Sequence, residues 1–216
     1  MSVLTKSMLP VESAFHQMRT NGVDLSNYNG LQESEKALVS GAIDSRKAEF
    51  GDARTCAHSA IAELTGAPSL TPILRGRRGM PVWPEPVIGS MTHTDGFRAA
   101  VVSPRSLVRS IGIDAELAQP LPAGVVDSIS TPQERKALKS WGADFGSRLL
   151  FCAKEATYKA WYPVTGKWLG FEDAQVDLHP DGTFISYILL RPTMIHFIEG
   201  NWSVEDGYVI ATAVVR

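Results

Sequence analysis

The chain has 216 residues, a length that admits one large domain or two small ones. With 44% hydrophobic and 20% charged residues it has the apolar material for a core, which excludes an intrinsically disordered chain. A formal net charge of −2 excludes the uniformly basic surface of a general nucleic-acid binder, so any anion must be bound locally.

The N-terminal stretch MSVLTKSMLPVESAFHQM lacks the apolar core of a signal peptide, and no uncharged apolar run approaches the roughly 18 residues of a membrane span. The expectation is a cytoplasmic protein with neither membrane nor nucleic acid as partner. Cys56 and Cys152 are too few for a disulfide scaffold and too far apart for a zinc-ligand pair, and they read as buried thiols. No low-complexity tract or short-period repeat interrupts the chain.

Residues 32–65 are helical in pattern, with Phe50, Ala53, Ala57, Ile61 and Leu64 recurring at three- and four-residue steps. The pattern predicts a long helix near 47–65, stopped by Gly66 and Pro68, with a shorter one before it. Residues 67–111 turn to short apolar runs broken by Gly and Pro, of which Ala99–Val102 is the clearest strand. Val108–Asp114 predicts another strand. Thr131, Pro132 and Glu134 then have the spacing of a helix cap, first position and capping-box acid, predicting a helix over about 132–141. Arg148–Trp161 is the strongest helical segment, ended in this reading by Pro163. Beyond it, Ala174–Leu178, Thr183–Leu190 and Tyr208–Val215 predict strands of a meander separated by Asp-Gly turns. Helix followed by strands in each half predicts an α+β chain of two similar α/β subdomains meeting near residue 110.

Three constellations carry chemistry. In Gly112-Ile113-Asp114-Ala115-Glu116 the carboxylates are two apart, so on a strand they face one side and repel unless a cation sits between them. Mg²⁺, a hard ion that shares its shell with waters and phosphates, suits them; an acidic strand end reads the same way. In Phe151-Cys152-Ala153-Lys154-Glu155-Ala156-Thr157-Tyr158-Lys159, helical steps place Phe151, Glu155, Tyr158, Lys159 and Tyr162 on one face. Glu155 can be a third metal ligand, and Lys154 and Lys159 a pair of phosphate-binding lysines; an exposed Glu-Lys pair fits the spacing as well. The third is Gly89-Ser90-Met91-Thr92-His93, whose hydroxyls and imidazole can meet a phosphate, as can the forked side chains of Arg46, Arg54, Arg75, Arg77 and Arg78; a structural histidine and a solvated basic surface fit the same residues. Neither a Walker loop nor GxGxxG is present.

Taken together, GIDAE, FCAKEATYK and GSMTH resemble the 4′-phosphopantetheinyl transferases of the large, pseudo-dimeric type, with Arg148–Trp161 and Trp168–Ala174 most like the actinobacterial and enterobactin-synthase-associated branch. The resemblance runs from about Arg46 to the C terminus. It implies two subdomains, 1–110 and 111–216, related by pseudo-twofold symmetry and forming one composite site in a monomer. It also implies the reaction: the phosphopantetheine arm of coenzyme A moves to a serine of an apo acyl or peptidyl carrier protein, releasing adenosine 3′,5′-bisphosphate. By the same resemblance Asp114, Glu116 and Glu155 hold Mg²⁺, or Mn²⁺, and Glu155 takes the serine proton. Lys154 and Lys159 neutralise the pyrophosphate; Ser90, Thr92 and His93 contact phosphate, and Arg46, Arg54 and Arg75 surround the 3′-phosphate and adenine. Tyr158, Tyr162 and Trp168 can wall the slot for the uncharged arm, and ordinary core packing accounts for them equally well. Two other functions would use the same residues: a Mg²⁺-dependent pyrophosphatase acting on coenzyme A or a nucleotide, and a non-catalytic coenzyme A-binding module. Charge is divided along the chain, with nine Lys or Arg against five Asp or Glu in residues 46–109 and nine against thirteen in residues 110–216.

Overall fold

A computed structural model describes residues 2–122, 124–141 and 144–216, and its contacts divide the chain into two compact units. Pro10–Ile111 is the first; Gly112–Arg216 forms the second together with the segment ending at Leu9.

In the first unit, β1 (Ala14–Arg19) is followed by the single turns α1 (Ser26–Asn29) and α2 (Glu33–Lys36) and by the long α3 (Asp44–Thr65). The predicted helix is present and begins three residues earlier, at Asp44, whose carboxylate favours the positive end of the helix dipole. A two-residue ribbon, β2 (Leu74–Arg75) with β3 (Pro81–Val82), precedes the hairpin of β4 (Val87–Thr94) and β5 (Phe97–Pro104). The main sheet has the order β1-β5-β4, antiparallel throughout. Cys56, Ala57, Ala60 and Ile61 of α3 pack against Ala14, Val87, Ala100 and Val102, and the mostly small side chains let helix and sheet approach closely.

The second unit begins on β6 (Ser110–Leu117), which starts just before the boundary, and continues through α4 (Val125–Ile129), α5 (Pro132–Trp141) and α6 (Gly146–Thr165). Then come β7 (Ala174–Leu178), β8 (Thr183–Ile188), β9 (Phe197–Glu205) and β10 (Tyr208–Val215), in a sheet of order β6-β10-β9-β8-β7. The chain is thus α+β. In each unit the first strand lies beside the last and the last beside its predecessor: β1-β5-β4 and β6-β10-β9.

The expected capping box starts α5: the Thr131 N–H donates to Glu134 Oε2 at 2.7 Å, and the Glu134 N–H to Thr131 Oγ1 at 3.2 Å. Pro163 does not end α6. It lies in the final turn, where its missing N–H costs one bond, and the helix closes at Gly166, left-handed at φ 63°, with its N–H on the Tyr162 carbonyl at 2.8 Å. Strand β9 is absent from the sequence-based expectation, because Gly200 and Asn201 dilute its alternation. Gly200 is required there: a Cβ would fall 2.1 Å from the ring of Phe184.

The segment ending at Leu9 docks on the second unit's sheet. Thr212 donates to the Met8 carbonyl at 2.7 Å, Ser203 to the Val3 carbonyl at 3.1 Å, and Val3, Leu4 and Met8 are buried. These residues therefore join the C-terminal unit and not the N-terminal subdomain to which their position in the chain assigns them. Cys56 and Cys152 are buried free thiols, as expected. Among the described residues no helix is long and apolar enough to cross a membrane.

Candidate active site

Extended β6 projects Asp114 and Glu116 to the same side, and α6 crosses it at Gly112. A Cβ on Gly112 would lie 2.0 Å from the Ala156 carbonyl oxygen and 2.7 Å from the Ala160 nitrogen, so only glycine admits this crossing. The crossing sets Glu155 and Lys159 of α6 against Asp114. Lys159 donates to Asp114 Oδ1 at 2.8 Å and to the Ile113 carbonyl at 3.0 Å, while Arg148, two turns before Glu155 on the helix, donates to Glu116 Oε2 at 3.2 Å.

The charges in this group feel one another. Burial raises the Glu155 carboxyl above the usual range, and Asp114 and Glu116 add to the rise while Lys159 opposes it. Glu116 is raised too, by burial first and Asp114 next, against Arg148 and Lys159. Burial works against the Lys159 ammonium, but the ion pair and hydrogen bond with Asp114 outweigh it and hold the lysine above its ordinary value. Among the described residues no three His, Cys, Asp or Glu side chains converge on one metal position; Asp114 and Glu116 each face a cation of α6 instead. Three mutually repelling carboxylates supply the hard oxygen donors that Mg²⁺ takes, and in this chemistry the set fits that ion.

Beside the acids, the rings of Tyr158 and Tyr162 stand 5.7 Å apart, those of Tyr158 and Trp168 5.1 Å, and those of Phe151 and Phe171 5.8 Å. Trp168 is 58% exposed, so this aromatic group reaches solvent. Lys154 points elsewhere. Its ammonium is 2.9 Å from Glu134 Oε2 and donates to the carbonyls of Phe171 at 2.6 Å and Ala174 at 2.8 Å, in a pocket that leaves the residue 3% exposed.

In the first unit, Arg46 donates to His93 Nε2 at 2.6 Å and to Glu49 Oε2 at 3.0 Å, on the exposed surface of α3 and β4. Ser90 and Thr92 alternate to the opposite face of β4 and are buried. Arg54 is buried over the ring of Phe50 and donates to the Ile73 carbonyl at 3.1 Å, with Glu35 at 3.7 Å. Burial pulls its guanidinium down to about 10, against the pull of Glu35 and with a further push from Arg75 and Arg46. The three arginines therefore share one region of positive potential, with Arg46 and Arg75 on the surface.

Both units match models of one enzyme family. Residues 34–103 match the 4′-phosphopantetheinyl transferase N-terminal domain, and residues 110–213 the 4′-phosphopantetheinyl transferase superfamily. The chain belongs to the 4′-phosphopantetheinyl transferases. It is 44% identical over 192 residues to the transferase Npt of Nocardia iowensis, covering 82% of this chain and 86% of that protein. To PptT of Mycobacterium tuberculosis it is 45% identical over 193 residues, 84% of each chain. To Svp of Streptomyces mobaraensis it is 39% identical over 224 residues, 99% of this chain and 88% of that one. The protein is accordingly an enzyme that transfers 4′-phosphopantetheine from coenzyme A to carrier proteins, and the hydrolytic and non-catalytic readings are not favoured.

Set against the residues expected to serve this transferase, the geometry joins Asp114, Glu116, Glu155 and Lys159 in one group and Arg46 with His93 in another. It parts the two lysines: an offset of five residues turns Lys154 about 140° around the helix from Lys159. With its ammonium taken by a carboxylate and two carbonyls, Lys154 ties α6 to α5 and β7 and is not presented to a phosphate. Ser90 and Thr92 are parted from His93 by strand alternation, and the buried Arg54 lies behind the surface arginines. Two neighbours are missing from the sequence-based site. Glu49 stands one helical turn after Arg46, and Arg148 precedes Glu155 by seven residues, two turns on the same face; the helical period contains both signals.

Proposed function

We propose that the transfer is carried out by the acidic and basic side chains that meet where α6 crosses β6, with Asp114, Glu116 and Glu155 as the ligands of Mg²⁺ or Mn²⁺. The observation that supports this reading is the crossing at Gly112, which brings Glu155 and Lys159 of α6 against Asp114, with Glu116 on the same side of the strand. When bound, the metal supplies charge neutralisation at the coenzyme A pyrophosphate, worth several kcal/mol in reactions of this class. Lys159, its charge secured by Asp114, presents a fixed ammonium to the same oxygens. Glu155, with its proton affinity raised, accepts the proton of the carrier serine, directly or through a water.

Tyr158, Tyr162 and Trp168 supply an aromatic wall for the uncharged pantetheine arm, a use consistent with the exposure of Trp168. The surface group Arg46, His93 and Arg75 suits the 3′-phosphate, with Arg54 adding positive potential from behind. The acceptors are apo acyl and peptidyl carrier proteins, and the enzyme works on them as a cytoplasmic monomer. Metal titration tests the metal requirement on which this reading depends. Chelator-treated enzyme should be inactive with coenzyme A and an apo carrier and regain turnover on addition of Mg²⁺ or Mn²⁺; full turnover in excess chelator would refute it.

A further inference from the structure

The guanidinium of Arg148 has three acceptors drawn from one short stretch of chain. NH1 donates to Glu116 Oε2 at 3.2 Å, Nε to the Gln119 carbonyl at 3.3 Å and NH2 to the Pro120 carbonyl at 3.4 Å. The planar fork thus spans the end of β6 and the turn that leaves it, and its side chain is only 20% exposed. Without such a clamp the Glu116 side chain, near the end of its strand, would sample several rotamers and the chain after Leu117 would be free to shift it further.

We infer that Arg148 is a positioning residue: through Glu116 it sets the geometry of the metal-binding carboxylates, and it touches neither metal nor substrate. Partners that hydrogen-bond a metal's ligands fix ligand direction, and their loss typically weakens metal affinity by about 10- to 100-fold. Two donors on backbone carbonyls keep the guanidinium in place whichever way Glu116 turns, so the carboxylate is drawn back to one orientation. Lysine keeps the charge but not the fork, and it cannot span the same three acceptors in one plane.

The inference rests on the assignment of Glu116 as a metal ligand, and the test separates the two. Free Mn²⁺ is followed by electron paramagnetic resonance as it is titrated into the full-length enzyme with saturating coenzyme A, for wild type, R148A, R148K and E116Q. Thermal unfolding without metal is recorded in parallel. The expected result is Mn²⁺ affinity lower by about tenfold or more in R148A and by several-fold in R148K. Should R148A fail to fold, R148K carries the comparison. Unchanged or tighter Mn²⁺ binding in the folded Arg148 variants overturns the positioning role, as does a lowered unfolding temperature with affinity intact. If wild type and E116Q bind Mn²⁺ alike, the assignment of Glu116 as a ligand itself fails.

Discussion

Glu155→Gln is expected to stop phosphopantetheine transfer while coenzyme A still binds. The side chain stands at the meeting of Asp114, Glu116 and Lys159, and burial with two neighbouring acids raises its proton affinity. A general base works best with its pKa near the operating pH, and its removal costs roughly 10²–10⁴-fold in rate. Gln keeps the volume and one oxygen but can neither accept the serine proton nor contribute a charge to the metal, so both proposed roles are lost together and the fall should lie at or beyond the upper end of that range. In the proposed site coenzyme A is held chiefly by cations and aromatic rings that the change leaves alone, so its affinity, read by calorimetry, should shift only a few-fold. Undiminished turnover would remove Glu155 from the mechanism. Lost turnover with lost coenzyme A binding would make it a binding residue instead.

Lys154→Ala is expected to destabilise the enzyme and to leave the coenzyme A affinity of the folded protein unchanged. The ammonium and the Glu134 carboxylate belong to side chains each 2% exposed and lie 2.9 Å apart. Glu134 also accepts from the Thr131 and Val176 N–H groups, each at 2.7 Å, so it cannot turn away to water when its partner is removed. Breaking a buried pair from one side costs about 3–5 kcal/mol, because the remaining charge is left uncompensated. For a chain of this size that is roughly 6–20 °C in the unfolding temperature. Replacing Glu134 together with Lys154 by apolar residues of similar volume should recover much of the loss. An unaltered unfolding temperature with weakened coenzyme A binding would return Lys154 to the phosphates.

Why Lys154 and Lys159 differ is a matter of what covers each side of the helix. The two occur in one motif, and helical geometry turns them apart, but only the packing of α5 and β7 shows that the Lys154 side is interior. The same holds for Ser90 and His93, three residues apart on a strand and hence on opposite faces. Local rules do place Asp114 with Glu116, the Thr131–Glu134 box and the aromatic face of α6, since each depends on neighbours within about one or two turns. The docking of Val3 and Met8 on Ser203 and Thr212 joins residues some two hundred positions apart, and no periodicity carries it. β9 is hidden for a related reason: Gly200 reads as a strand breaker until the Phe184 ring above it is known. Pro163 reads as a helix end because a missing N–H is costly inside a helix, yet in a last turn it removes a single bond.

The transferase mechanism is tested most directly by following both products of one reaction. Enzyme, coenzyme A, Mg²⁺ and an apo acyl carrier protein are incubated together. The carrier's intact mass and the adenosine 3′,5′-bisphosphate released are then measured over time. The expected result is one phosphopantetheine gained per carrier, one bisphosphate released for each, and neither product from Glu155→Gln. Bisphosphate released from coenzyme A with no gain in carrier mass would contradict the mechanism.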